Sequence, residues 1–503
     1  MRGAATRIPF RLCALIAGLA SGAVHAQPPL LPTTRLSQQS LGAVAAIDRV
    51  KLALLSLSQD YPEILSAEAA ASTSGYELEA AKTARYPRIK LGSSAGNSNS
   101  GTVNGGSKSY TVFSADVRMA LIDGGGMSSR IRMAEAQTGA EGEALKSTVQ
   151  KVVLDAFTAY LQVQRYDLKA RVAERSAEVL GDLLRIEQRR VDLGATGQND
   201  LRMAASRRAS VRAKQQDFEA QRADASGKFE TYFRFPPRTD FLPTLAAPEQ
   251  WLRVSREEAL RVAEEGSTEL AEARERIARA EAQVEFQKAS RFPTLEAVYG
   301  KTHDPRGILV TQPTRIGVEL NWNFGNGFDA QLRIRSALAE VDNQQAKFEA
   351  ARRNLMELTG ASWDRTSAGR ERERELREAV AESGAAFRGR WRLLEFGRET
   401  LPRVLDAQVD YYTLLQDYVD AVYDLRITEL RLARATGRLM VARDGDNGWI
   451  DTVFTGAARP VLAGDGLDGT LCIAQRAPCI ASPDAGTDDT GIALRPAGQM
   501  GTL

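Results

Sequence analysis

Histidine and cysteine are nearly missing from this chain. Its 503 residues hold two histidines, His25 and His303, and three cysteines, Cys13, Cys472 and Cys479. A histidine-based catalytic triad or a Cys/His zinc cluster has no raw material, so the reading is of a protein with no enzyme activity, metal or other cofactor. A GxGxxG match at Gly464, Gly466 and Gly469 lies outside any strand–helix pattern and does not revive an enzyme. Long apolar runs are missing after Ala26, where Asp, Arg, Glu or Lys interrupts within a few residues, so no spanning helix is expected. An excess of one charge is missing too: 66 Lys and Arg stand against 64 Asp and Glu, which argues against nucleic acid as a partner.

What is present is a foldable composition, 43% apolar and 26% charged. Arg2, Arg7 and Arg11 flank a small apolar stretch from Leu12 to Val24, and Val24-His25-Ala26 fits a small-x-small cleavage site, so residues 1–26 read as a secretory signal peptide. Cys13 lies well before that site, which argues against a lipid-anchored cysteine. An exported chain without a spanning helix is soluble outside the cytoplasm or enters a membrane as β-strands.

The chain repeats itself at an offset of 203 residues. Arg130-Ile131-Arg132 recurs as Arg333-Ile334-Arg335, Gly124 maps onto Gly327, Leu193-Gly194 onto Phe396-Gly397 and Ala204 onto Ala407. The expected units are 27–245 and 246–442, followed by a Gly/Ala/Pro/Asp-rich flexible tail at 443–503. Within the tail, Cys472 and Cys479 are expected to form a small disulfide loop in an oxidising compartment.

Each unit has the same order. A helical stretch, Val44 to Thr83 or Glu257 to Ser290, stops at an aromatic-proline pair, Tyr86-Pro87 or Phe292-Pro293. Period-two segments follow near 88–121 and 294–324: Phe113, Ala115, Val117 and Met119 alternate with Ser114, Asp116 and Arg118, and Ile316, Val318, Leu320 and Trp322 with Glu319 and Asn321. Strands of about 10 residues suit an outer membrane crossed at a tilt. Long helical pairs then span 127–238 and 329–440. Leu145, Val149, Val152, Ala156, Ala159, Val163 and Tyr166 recur at spacings of four and three, a coiled-coil seam reaching on the order of 100 Å. Gly194 reads as a helix terminator, with Asn199 or Asp200 capping the next helix. The second long helix reads as weaker, because Gly360, Gly369, Gly384 and Gly389 each cost roughly 1 kcal/mol relative to Ala.

Together the duplication, the aromatic-proline pairs, the Gly-containing strand-to-helix turns (Leu121-Ile122-Asp123-Gly124-Gly125 and Phe324-Gly325-Asn326-Gly327), Asp155-Ala156-Phe157-x-x-Tyr160-Leu161 and Val404-Leu405-Asp406-Ala407 resemble the TolC-like outer-membrane efflux and secretion proteins over about residues 39–442. The resemblance implies an α+β membrane protein in the cell outer membrane with a large periplasmic portion. It would be a homotrimer whose four strands per chain pool into a twelve-strand β-barrel in outer-membrane lipid, and whose antiparallel coiled-coil helices form an α-barrel. Its implied partners are a periplasmic adaptor (membrane fusion protein) and an inner-membrane ABC transporter or proton-driven pump. Physics agrees that four strands cannot close a barrel alone.

Further residue roles follow from the resemblance. Asp116, Arg118, Glu296 and Glu319 are expected in the barrel lumen; the tips around Gly194, Ala195, Gly397 and Arg398 would dock the adaptor. Asp406 would form an acidic ring at the entrance, with Arg403 pairing to Asp200 as a latch. In the best-known pattern an acid stands where this chain has Arg403, and a base where it has Glu399. The absent lipid anchor tilts the function toward type I protein secretion. The alternatives are small-molecule, drug or metal efflux, or a periplasmic coiled-coil adaptor or structural protein.

Overall fold

The computed structural model describes residues 35–99, 107–239, 242–252, 255–305, 314–322, 328–441 and 447–454, with three two-residue strands at 462–463, 470–471 and 480–481. The expected signal peptide at residues 1–26, the tail glycines Gly464, Gly466 and Gly469, and Cys472 and Cys479 of the expected disulfide lie outside the described residues. The order is α1 (Arg35–Asp60), α2 (Pro62–Thr83), β1 (Arg88–Asn99), β2 (Ser107–Ile122), α3 (Gly126–Asp192), α4 (Gln198–Phe233), α5 (Glu249–Leu252), α6 (Arg256–Gly266), α7 (Thr268–Ala289), β3 (Thr294–His303), β4 (Thr314–Asn321), α8 (Asp329–Glu395), α9 (Leu401–Ala435) and α10 (Trp449–Val453). The tail strands β5 (Leu462–Ala463), β6 (Thr470–Leu471) and β7 (Ile480–Ala481) form a separate antiparallel sheet.

The long helices α3 and α8 are each 67 residues. Along α3 the expected seam is buried at Val149, Val152, Ala156, Ala159 and Val163, with Leu145 and Tyr166 half-buried at its ends. Each fully buried valine contributes about 1.5–3 kcal/mol, and each alanine roughly the 0.8 kcal/mol of a single carbon. Two expected helical stretches are divided. The first breaks at Tyr61, whose extended backbone Pro62 enforces, and the second at Ser267, whose hydroxyl caps α7 by accepting from the Leu270 N–H.

The glycines of α8 do not break it; the helix runs through all four. Three sit close against a neighbour. A Cβ at Gly384 would collide with the Tyr411 ring at 2.9 Å, one at Gly369 would be tight against Leu425 at 3.1 Å, and one at Gly360 would lie 3.0 Å from the movable end of Arg256. The propensity penalty is offset by close packing against α6 and α9.

Halfway along α3 an aromatic core ties the first unit to Phe454, beyond the end of the second expected unit. Phe157 and Tyr160 of α3 meet Phe229 and Phe233 of α4 and Phe454, which follows α10. Leu245, in the link between units, bridges to Phe454, and the Tyr160 hydroxyl donates to the Pro243 carbonyl at 2.5 Å.

Candidate functional site

The four long strands form one antiparallel sheet in the order β1-β2-β3-β4, leaving β1 and β4 as edges. Cross-strand partners share a face, so the register sorts every side chain. One face carries Ile89, Val117, Tyr299 and Ile316 in one row and Met119, Ala297 and Val318 in the next, followed by Leu295 and Leu320. Ile89, Leu91, Ile316, Val318, Leu320 and Trp322 are all exposed, an apolar patch that water does not tolerate at this size.

The other face carries the charges. Arg88 is in register with Arg118, Lys90 with Asp116, and Glu296 with Glu319. Arg118 lies 3.6 Å from Glu319 and 3.9 Å from Glu296, and Arg315 lies 2.9 Å from Glu319. The four residues expected in a lumen therefore share one face. The sequence reading missed Arg88 and Lys90 there, although the alternation with Ile89 and Leu91 carried the signal. His303 ends β3 opposite Phe113.

The sheet joins the helices through a strained turn. Gly124 and Gly125 take φ of 64° and 94°, and a Cβ on Gly124 would stand 2.7 Å from Phe292 and 3.0 Å from the Ala289 carbonyl. The Asp123 carboxylate accepts from the N–H groups of Gly125 and Met127, satisfying the start of α3. Above this junction, between the charged face and the ends of α2, α3 and α7, lies a cavity of about 1000 Å³.

At the far end, both long helices stop in the same way. Gly194 (φ 72°) donates to the Val191 carbonyl, with Ala195 donating to Arg190 at 2.8 Å; Gly397 (φ 68°) donates to Leu394, with Arg398 donating to Leu393 at 2.8 Å. These are paired 5→2 and 6→1 closures. Of the following helices, α4 begins after Gly197, earlier than the expected cap at Asn199 or Asp200, whereas α9 begins after Thr400 with Pro402 in its first turn; neither uses a side-chain cap.

The entrance charges are arranged differently from the expected latch. Arg403 lies 3.7 Å from Glu399, whose carboxylate also accepts from the Thr400 N–H at 3.0 Å. Asp406 of α9 lies 3.7 Å from Arg207 of α4. Asp200, expected to pair with Arg403, sits in the first turn of α4, where the positive end of the helix dipole favours an acid by itself. Higher up, α3 and α9 are joined by Arg165 and Lys169, which both hold Asp420 at 2.8 Å, with Asp424 2.9 Å from Arg165. Burial works against the Arg165 charge, and the hydrogen bond and charge of Asp420 more than offset it, holding its guanidinium above the ordinary value.

The fold, a four-stranded sheet on long paired helices, is shared with solved structures: the outer membrane protein VceC of Vibrio cholerae superposes with a TM-score of 0.68 at 16% identity, covering 78% of this chain and 96% of that one. CmeC of Campylobacter jejuni gives 0.68 at 10% identity over 80% and 89% of the two chains. The chain belongs to the outer membrane efflux protein family, whose model matches residues 54–231 and 259–438. Among characterised relatives, protein CyaE of Bordetella pertussis is 26% identical over 443 residues, 82% of this chain and 86% of that protein. Outer membrane efflux protein BepC of Brucella suis is 23% identical, over 63% and 70%. The protein is thus a transport conduit of the outer membrane with a large periplasmic portion, and not an enzyme. Among the described residues no helix is long and apolar enough to cross a membrane.

Proposed function

We propose that three copies close their sheets into a twelve-strand barrel and extend it through a periplasmic helical barrel, forming the exit duct of an efflux system that works with a periplasmic adaptor and an inner-membrane transporter. The carrying observation is the sheet itself: its apolar face is exposed, its other face gathers the charges, and β1 and β4 are left as edges. Open edges are not tolerated in hydrocarbon, and edge-to-edge closure between copies removes them. Efflux, here taken as that of small molecules, is the reading that the family's and BepC's descriptions favour over protein secretion. Protein secretion stays the second reading, with no cargo-specific residue behind it.

In this reading the tips at Gly194, Ala195, Gly397 and Arg398 meet the adaptor, and Asp406 with Arg207, and Arg403 with Glu399, set the charge of the entrance. The test is a deletion strain complemented with the gene. Outer-membrane extracts should yield a heat-sensitive trimer, and loss of the gene should raise susceptibility to small toxic compounds while the profile of exported proteins stays unchanged. A lost exported protein with unchanged susceptibility would favour secretion.

A further inference from the structure

We propose that the charged face at the base of the sheet is a site for anionic groups, phosphate or carboxylate, carried by cargo in transit, built from Arg88, Lys90 and Arg130. The inference rests on the trimeric channel reading, which turns this face toward the pore. The cavity of about 1000 Å³ is lined by these three cations and by Arg118, Asp116, Asp123 and Glu296. Its acids are nearly all engaged. Glu296 faces Arg118 at 3.9 Å, and Asp123 is turned onto the amides that open α3. Glu319 beside them is shared between Arg118 and Arg315.

Asp116 is the remaining acid, and it leans away from its cross-strand partner. Its Oδ1 lies 3.0 Å from where a Cβ of Gly300 would stand, so the missing side chain on β3 lets the carboxylate lie across β3 instead of reaching Lys90 on β1. Among the described residues Arg88 and Lys90 take part in no ion pair within 4 Å. Arg130 contacts the Phe286 ring, 5.4 Å from its centroid, which leaves the charge uncancelled. Arg88 and Arg130 also line the adjoining cavity of about 540 Å³, so the two guanidinium groups stand at a shared wall. Guanidinium forks match the oxygens of phosphate and carboxylate, and three cations without an ion-pair partner against Asp116 and the amide-bound Asp123 leave the site net positive by one. The cavity is too wide to grip one small ion, so recognition is electrostatic and reversible, as transit requires.

The experiment uses the full-length trimer in detergent, titrated with inorganic tripolyphosphate by calorimetry, and the same protein in planar bilayers. Wild type should bind tripolyphosphate at low salt, and binding should weaken as salt screens the site. Arg88→Gln with Lys90→Gln should weaken it at least tenfold while trimer content and helical signal are unchanged, and Lys90→Arg should retain it. In bilayers, tripolyphosphate should block wild type and spare the double variant. Equal binding by wild type and the double variant, or none by wild type, overturns the site. If a neighbouring copy's Glu319 neutralises Lys90 across the seam, wild type will not bind, and that result also rejects the site. Ordinary conductance without binding rejects the site and leaves the channel standing, whereas calorimetric binding without conductance upholds the site and rejects the channel.

Discussion

Gly194 and Gly397 occupy the same place in two turns, each in the left-handed region at φ near 70°, and each closing a 67-residue helix. A Cβ at either would meet nothing within 4 Å. Gly124 has a similar φ of 64° but is pressed against Phe292 and the Ala289 carbonyl.

That contrast predicts different responses to the same substitution. Gly194→Ala and Gly397→Ala should each cost about 1–2 kcal/mol from backbone strain alone, and Asn, which tolerates this conformation, should recover most of it. Gly124→Ala should cost more, and Gly124→Asn should not recover it. Chemical denaturation followed by circular dichroism measures the differences; equal losses at all three sites would contradict the packing at Gly124.

The two faces of β4 should respond oppositely to charge. Leu320 is exposed on the apolar face, so Leu320→Arg should cost roughly 2–4 kcal/mol in lipid and reduce the trimer recovered from outer membranes. Glu319→Gln, on the charged face, releases Arg118 and Arg315 into the lumen. It should assemble normally and shift ion selectivity toward anions, read from the reversal potential.

Asp420 should matter more than a surface acid. It holds both Arg165 and Lys169, and the three side chains are only 12–22% exposed. Asp420→Ala leaves two half-buried cations short of a partner and should destabilise by about 2 kcal/mol, below the roughly 3–5 kcal/mol of a fully buried pair. A double-mutant cycle with Arg165→Ala should show coupling, because Asp424 retains only part of the Arg165 interaction.

Alkaline pH should unfold the helical region through its buried phenols. Burial pushes Tyr423 up to about 12 from the ordinary 10, and raises Tyr160 and Tyr418 as well. Above pH 10 the unfolded chain loses these protons first, so it binds fewer protons than the folded chain and stability falls as pH rises. For Tyr423 the fall runs between about pH 10 and 12, with a slope approaching about 1.4 kcal/mol for each step of one in pH. Tyrosinate absorbance should lag for the buried phenols until the circular dichroism signal collapses, and Tyr423→Phe should reduce the steepness of the stability loss.

Local patterning carried much of this protein. Period-two alternation from Thr111 to Leu121 placed Asp116 and Arg118 on one face because successive side chains in a strand must point to opposite sides. The four-three spacing from Leu145 to Tyr166 marked the seam of α3 because apolar positions at that interval share one helix face. Duplicated turns at Gly194 and Gly397 were legible because a left-handed residue at a helix end nearly demands glycine.

What no local pattern could supply is which distant residue stands opposite. Asp406 faces Arg207, far away in sequence on the tip helix of the other unit, while Arg403 turns to Glu399 one turn before it. The glycines of α8 look like defects along the helix and are contact points only once Arg256, Leu425 and Tyr411 are brought against them. Asp116 is set by its neighbour Gly300 on β3, and thereby Lys90 is left uncancelled. Periods, faces and stops are written in the order of the residues, because they follow from the geometry of a short stretch of backbone. Partners are not, since they depend on how helices and strands from two units pack and on which side chains that packing leaves room for.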